Sequence, residues 1–214
     1  MDRYLTHTGP TNWIHFTNIG NWGDHVIERS AITEFCQFCN GIKSAAYYHA
    51  FSDVNGRPLD GSYAQGYVLT FPAGQIPMAT RFWSVTAYTP EAVELIDNPA
   101  DKYVVASYTP GLQYNTDGSL SVYMARRPPK GVPAANWLPV SFRKFNVALR
   151  VYGPEGDVEV TPTSRPVSGS VSASVLSLKW SYKSDIRMIS WACRLEGNGD
   201  GASADRTGSG RVRN

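Results

Sequence analysis

The chain has 214 residues, a length at which one globular domain can bury a sizeable core. Charged residues make up 18% and aromatic residues 12%, a balance that favours a β-rich domain over a helical bundle or a disordered chain. The net charge of +2, with Lys and Arg scattered, leaves no basic stripe, so we expect no nucleic-acid partner.

The first residues predict where the protein resides. Met1 to Tyr4 show no basic segment followed by an apolar stretch, which a secretory signal peptide needs. No window reaches the roughly 18 apolar residues of a membrane-spanning helix. We therefore expect a cytoplasmic protein with no membrane partner, and export of a longer precursor remains the alternative.

A helix is the first predicted element, between about Asp24 and Asn40. Asn21 or Asp24 can cap its start, and Gly41 ends it. Apolar residues recur at three- and four-residue steps on one face, namely Ile27, Ala31, Phe35, Phe38 and Ile42. The opposite face carries Arg29, which either points to solvent or supplies a cation to an anionic ligand.

Cysteine and histidine spacing argues against metal chemistry. Three cysteines cannot all pair within one chain, and Cys36 and Cys39 fall inside the helical pattern, so we expect buried free thiols. All four histidines precede the β-rich region, and they lack ligand spacing on strands. We expect neither a metal nor a cofactor.

Beyond Ala45 the hydrophobic period changes from 3.6 to 2, which predicts antiparallel strands between about residues 65 and 152. The clearest alternation runs from Lys144 to Tyr152, and we expect a central strand there. Asp-Gly and Asn-Gly pairs mark tight turns between the runs. Without intervening helical patterns, this region predicts a mainly β fold, an antiparallel β-sandwich or jelly roll.

The run from Phe82 to Tyr88 has two unlike faces. Because side chains alternate along a strand, Ser84, Thr86 and Tyr88 share one face and Trp83 lies on the other, so either Trp83 or Tyr88 should be core. Hydroxyl groups on an otherwise apolar wall are typical of a small-molecule pocket. A packed sheet face with satisfied hydroxyls is the alternative.

Asn136 and Trp137 fall on a predicted loop. A Trp there can cap one end of a sandwich while the neighbouring Asn bonds exposed backbone groups, or both can border a ligand.

The C-terminal part changes in composition. Val175 to Tyr182 fits one more strand, and beyond Glu196 the Gly, Asp, Ser and Arg mixture cannot bury enough apolar area to offset ordering entropy. We expect a single domain over residues 1–194 and a disordered tail over 195–214.

Several short sequence motifs occur in a characteristic order along the chain. They are Asn21-Trp22-Gly23, Pro58-Leu59-Asp60-Gly61, Phe82-Trp83-Ser84, Asn98, Tyr103, Asp117-Gly118-Ser119 and Asn136-Trp137-Leu138-Pro139. From about Gly20 to Val160 this order resembles a bacterial-type family, domain of unknown function 1214. The resemblance implies a jelly-roll domain, usually preceded by a companion domain numbered 1254. It carries over no catalytic residue, so whether the chain is an enzyme stays open.

Two hypotheses of function result. In the first, the sandwich binds a small apolar or sugar-like ligand without a metal, at a site bordered by Tyr88, Trp83, Trp137, Asn136 and Arg29. In the second, the chain is a structural or interaction module that packs against a partner domain or another copy of itself. A pocket lined by tyrosine, tryptophan and a cation favours the first, and a large exposed apolar patch favours the second.

Overall fold

The computed structural model describes residues 4–8, 11–16, 18–20, 22–36, 38–90, 94–155 and 174–177. Two β-sheets pack face to face, and one short helix lies near the N-terminus. The predicted mainly β fold class is therefore confirmed. None of the described helices is long and apolar enough to cross a membrane.

Ten strands and one α-helix form the described structure. In chain order they are β1 (Leu5–His7), β2 (Trp13–Phe16), α1 (Val26–Phe35), β3 (Ala45–Ala50), β4 (Tyr67–Phe71), β5 (Ala79–Tyr88), β6 (Val104–Ala106), β7 (Leu120–Ala125), β8 (Trp137–Pro139), β9 (Asn146–Pro154) and β10 (Ser174–Ser177). A 3-10 turn, Ala134–Asn136, directly precedes β8. The start of β3 coincides with the predicted change of hydrophobic period at Ala45.

The larger sheet has six antiparallel strands in the order β1-β2-β3-β9-β5-β6. Its central strand β9 places Val151 opposite Ala46 on β3 and opposite Trp83 on β5. The predicted central strand from Lys144 to Tyr152 is thus confirmed, with both ends two residues further along the chain.

The smaller sheet has the order β10-β4-β7-β8. Strands β4 and β7 are antiparallel, but β8 runs parallel to β7 and the backbone of β10 runs parallel to β4. The expectation of wholly antiparallel strands was wrong here, because residues 126–136 form a connection long enough to bring the chain back in the same direction. The predicted strand from Val175 overlaps β10, whereas its end and the predicted tail lie outside the described residues.

The main core lies between the two sheets. Tyr67 and Phe71 on β4 belong to one buried cluster with Trp83 on β5, and the ring centroids of Phe71 and Trp83 are 5.5 Å apart. Leu149 on β9 is also fully buried there. Each such side chain contributes about 1.5–3 kcal/mol through burial, so this apolar layer holds the sandwich together.

Helix α1 packs on the opposite, outer surface of the larger sheet. Its Ile32 is fully buried against Leu5, Ile14 and Phe16, which lie on β1 and β2. The predicted apolar face was wrong in part: Ile27 is 65% exposed and lies away from this cluster.

The boundaries of α1 also differ from the prediction. The helix begins after His25, which makes no side-chain capping bond, and it ends at Phe35. Cys36 has φ −143° and ψ 83°, which is outside the helical region, so Gly41 lies well beyond the helix. Phe38 consequently projects from the following turn and is 89% exposed.

Cys36 and Cys39 form a disulfide, with their Cα atoms 5.4 Å apart. The expectation of free thiols was wrong for this pair because the helix stops at Cys36, and the turn that follows brings the two sulfur atoms within bonding reach. Cys193 lies outside the described residues.

The predicted turns are confirmed at Asp117-Gly118 and at Asp53-Val54-Asn55-Gly56. Gly118 has φ +81°, a conformation that favours glycine, and the Ser119 N–H donates to Asp117 Oδ1 at 2.9 Å. Asp53 Oδ1 likewise accepts from the backbone N–H groups of Asn55 and Arg57. These aspartates therefore serve as turn residues.

Candidate functional site

Trp83 and Tyr88 lie on opposite faces of β5, as their spacing predicted. Trp83 is only 2% exposed and belongs to the core between the sheets, whereas Tyr88 is half-buried on the outer face. The expectation that one of the two is core is met by Trp83. The two side chains do not line one cavity.

Asn136 and Trp137 hold neighbouring backbone segments together. Asn136 is 3% exposed, and its side chain bonds the backbone of Gln113 and Ser121. Trp137 Nε1 donates to the Ala125 carbonyl oxygen at 2.8 Å. The structural interpretation of this pair accounts for all of these contacts.

Arg29 lies on α1 with an exposed side chain. Its backbone N–H donates to the His25 carbonyl oxygen at 3.0 Å, as in any helix. Within the described residues, no recorded contact joins its guanidinium to Tyr88 or Trp137. The assignment of these five residues to a ligand site therefore stays a prediction.

The outer face of β3, β9 and β5 carries a row of aromatic side chains that is the most distinctive feature near Tyr88. The rings of Tyr152 and Phe82 are 4.5 Å apart, and Tyr47 and Tyr108 extend the row at centroid distances of 6.5 Å and 5.3 Å. Tyr108 is 61% exposed. Aromatic rings at these separations stabilise one another, and the exposed ones offer apolar faces to a partner.

Arg150 supplies a cation beside this row. Its guanidinium carbon lies 5.2 Å from the centre of the Tyr88 ring, within the range of a cation–π interaction. Arg150 falls on the strand that alternation predicts, but no pattern in the sequence marks it as a site residue. The missing information is its position opposite Tyr47 and Ser84, which are distant in sequence.

Two hydroxyl groups lie beneath the aromatic side chains. Ser84 and Thr86 are each 6% exposed, and Ala148 beside them is 1% exposed, while the surrounding Tyr88 and Tyr152 are half-buried. Among the described residues, no hydrogen bond is recorded for either hydroxyl. These two hydroxyls, here called the polar floor, are not among the fully enclosed polar atoms that lack a partner in the described residues, which are Asn12 Oδ1, Trp13 Nε1 and Gln75 Oε1, so water or a ligand can reach them.

Two titratable groups on this face, Tyr152 and His49, are shifted toward their neutral forms. Burial raises the pKa of Tyr152, so its phenol keeps a donor hydrogen at neutral pH. Burial lowers the pKa of His49 to about 4, and the positive charge of Arg150 adds to this effect. Arg150 is thus the charged member of the group.

A separate small pocket lies near the edge of the same sheet, lined by His15, Phe16, Ile19, Ile42, Ala46, Tyr47 and Tyr48. Its volume of about 10 Å³ holds no more than about one water molecule. Burial lowers the pKa of His15 to about 4, and Thr8 Oγ1 lies 2.9 Å from its Nδ1. This pocket is too small for an organic ligand.

Possible metal ligands are dispersed in the part of the chain that the structure describes. Within the described ranges, no three His, Cys, Asp or Glu side chains cluster as the ligands of a metal ion would. The absence of a metal thus stays a prediction for the whole chain.

The family model of "Protein of unknown function (DUF1214)" matches residues 44–156, more than half of the chain. The chain belongs to this family. The match spans β3 to β9 and includes Tyr88, Arg150 and Tyr152. It begins after α1, so Arg29 and the Asn21-Trp22-Gly23 block lie outside the matched range.

Two solved structures are similar to this chain. The VPA0106 protein from Vibrio parahaemolyticus is 28% identical with a TM-score of 0.50, over 57% of this chain and 29% of that one. An uncharacterised protein from Burkholderia cenocepacia is 20% identical with a TM-score of 0.37, over 59% of this chain and 31% of that one. This chain therefore spans less than a third of the length of either. No curated protein matches it.

Proposed function

We propose that the outer face around Tyr88, Tyr152 and Phe82 binds a small apolar or sugar-like molecule without a metal. The observation that carries this proposal is the polar floor, in which Ser84 and Thr86 lie recessed below aromatic side chains with no recorded hydrogen bond. A ligand hydroxyl that reaches this floor would satisfy groups that otherwise depend on water.

The aromatic row supplies the apolar part of such a site. A planar ring or the apolar face of a sugar can rest against Tyr152 or Tyr108, whose rings are not fully enclosed. Two χ angles fix a tyrosine, so little side-chain entropy is lost when the ligand binds. Trp83 supports the same strand from the core side.

The test is a titration of the purified chain with phenol, methyl glucoside and phenyl glucoside, followed by protein-observed NMR. We expect shifts at Ser84, Thr86 and Tyr152, and weaker binding in Tyr152→Leu and Tyr88→Phe. Tyr114→Leu is the matched control, because Tyr114 is 56% exposed and lies outside the aromatic row. Chelator-treated protein should bind equally well.

Two further variants test the residues that the sequence predicts for the site. Arg29→Ala and Trp137→Phe are included because the sequence assigns both residues to the site, and weaker binding in either extends the site toward them. If ligand-induced NMR shifts saturate equally in the wild type and in Tyr152→Leu, the ligand binds outside the aromatic row. The proposal then fails.

A second function is favoured by a different observation. Four apolar side chains on α1 and the segment after it are exposed, namely Val26, Ile27, Phe38 and Ile42. Because this chain spans only 29% of the Vibrio parahaemolyticus protein, we propose a further domain of a longer polypeptide as their partner.

Light scattering and a hydrophobic dye test this interaction hypothesis. The isolated chain should be monomeric and bind dye, and Phe38→Ser should reduce the dye signal. A dimer that Phe38→Ser dissociates would instead identify a second copy as the partner.

A further inference from the structure

Arg150 occupies the middle of the larger sheet, on its outer face. Its strand β9 lies between β3 and β5, and Arg150 is opposite Tyr47 on one and Ser84 on the other. The side chain is half-buried, so part of its hydration is lost. A guanidinium in this position needs compensation from its surroundings.

No acidic residue occupies the neighbouring positions of this face. The two positions along β9 hold Ala148 and Tyr152, and the diagonal positions on β3 and β5 hold alanine, histidine, phenylalanine and threonine. Among the described residues, no ion pair is recorded for Arg150. The positive charge therefore has no carboxylate partner in this part of the protein.

The contact with Tyr88 compensates only part of the charge. A cation–π interaction uses the face of the guanidinium and none of its five N–H donors. Those donors match the oxygen atoms of a carboxylate or a phosphate. The hydroxyl of Ser84, directly opposite on β5, is available beside them.

We infer that the ligand of this face is a small organic anion, whose carboxylate or phosphate binds Arg150 while its ring contacts the aromatic row. This inference rests on the proposed function and adds the charge of the ligand to it. Arg150, which sequence reasoning did not select, replaces Arg29 as the cation of the site. The neutral state of His49 leaves the guanidinium as the centre of positive charge there.

Matched pairs of probes test the inference. Benzoate is compared with benzamide, glucuronate with glucose, and phenyl phosphate with phenol, each titrated into the purified chain by NMR. We expect the anion of at least one pair to bind at least about tenfold more tightly than its neutral partner. Comparison of benzoate and glucuronate with phenyl phosphate shows whether the site prefers a carboxylate or a phosphate.

Three variants locate the charge that is recognised. Arg150→Gln should remove the preference for the anion and leave the neutral partner within about twofold, and Arg150→Lys should restore it in part because it keeps the charge but loses the planar donor set. Arg127→Gln, at an exposed arginine in the connection before β8, is the matched control and should change nothing. Thermal unfolding checks that each variant is folded, and Arg150→Lys carries the test if Arg150→Gln is not.

The binding results distinguish failure of the inference about the anion from failure of the proposed function. Equal binding of anion and neutral partner, or a preference that Arg150→Gln does not remove, overturns the inference and leaves the proposed function standing. If neither member of any pair binds at this face, the proposed function and the inference both fail.

Discussion

Asn136 and Gln113 form two reciprocal hydrogen bonds. Asn136 Nδ2 donates to the Gln113 carbonyl oxygen at 2.7 Å, and the Gln113 N–H donates to Asn136 Oδ1 at 2.9 Å. The same Nδ2 also donates to the Ser121 carbonyl oxygen at 2.9 Å. One side-chain amide thus ties the 3-10 turn before β8 to the loop before β7 and to β7 itself.

Replacement of this amide should destabilise the protein. Asn136→Ala leaves the buried Ser121 carbonyl and the part-buried backbone groups of Gln113 without their partner, and we expect a loss of about 2–4 kcal/mol in the free energy of unfolding. Urea denaturation measures it. Gln65→Ala, an exposed amide, is the control and should change stability by less than about 0.5 kcal/mol. A similar small loss for Asn136→Ala would contradict the structural role.

Much of the fold was predictable because it depends on local periodicity. The change of period at Ala45 and the alternation from Lys144 both identify strands of the larger sheet. The parallel pairing of β7 with β8 was not predictable, because strand direction depends on the path of residues 126–136 rather than on any local pattern.

The candidate site shows the same division between local and long-range information. Opposite facing of Trp83 and Tyr88 follows from alternation within one strand. The approach of Arg150 to Tyr88 depends on the pairing of β9 with β5, which no spacing in the sequence reveals. The apolar steps in α1 predicted a buried face, but the sheet accommodates Ile32 and leaves Ile27 in solvent.

Acidification should weaken the fold through two histidines. Burial lowers the pKa of His15 and His49 to about 4 in the folded state, below the ordinary value of 6.5. Between these values the unfolded chain binds more protons, so stability is fully present above about pH 6.5 and falls as the pH drops toward 4. Because both side chains are half-buried, we expect a combined loss of about 1–3 kcal/mol.

Urea denaturation from pH 7 to pH 4 measures this effect. The double variant His15→Gln with His49→Gln should show a shallower fall than the wild type, and the exposed His25→Gln should not. Hydrogen bonds from Ser62 and Ser119 lower the pKa of Asp60 and Asp117, so their contributions are lost in a lower window, below about pH 4. An unchanged slope in the double variant would exclude the histidines as the cause.

The Cys36–Cys39 disulfide should be detectable by thiol counting and should contribute modestly to stability. Alkylation of the denatured protein without reductant should label one of the three cysteines, and all three should react after reduction. The closed loop is short, so reduction should cost only about 2 kcal/mol. Labelling of three thiols before reduction would show that the bond is absent.

An NMR measurement can follow the reduction of the disulfide. Asn40, which directly follows Cys39, donates from Nδ2 to Tyr47 OH at 3.0 Å, so the chemical shifts of Tyr47 should change when the disulfide is reduced.

Trp83 should separate stability from ligand binding. Its indole is 2% exposed and packs against Phe71 on the core side of β5, whereas the proposed ligand face is on the other side of the same strand. Trp83→Ala should therefore cost about 3–5 kcal/mol in the free energy of unfolding through loss of apolar contacts and a residual cavity, and Trp83→Phe should cost less. Phe142→Ala, at a ring that is 60% exposed, is the control and should have little effect.

The same variants then decide how Trp83 acts. At a temperature where Trp83→Phe is fully folded, its affinity for the phenyl glucoside or benzoate probe should equal that of the wild type within about twofold, while Tyr152→Leu loses affinity without a comparable loss of stability. A selective loss of affinity in Trp83→Phe would instead support the prediction, made from the sequence, that Trp83 borders the ligand. Because alternation places Trp83 and Tyr88 on opposite faces, that result would require the ligand to enter the core between the sheets.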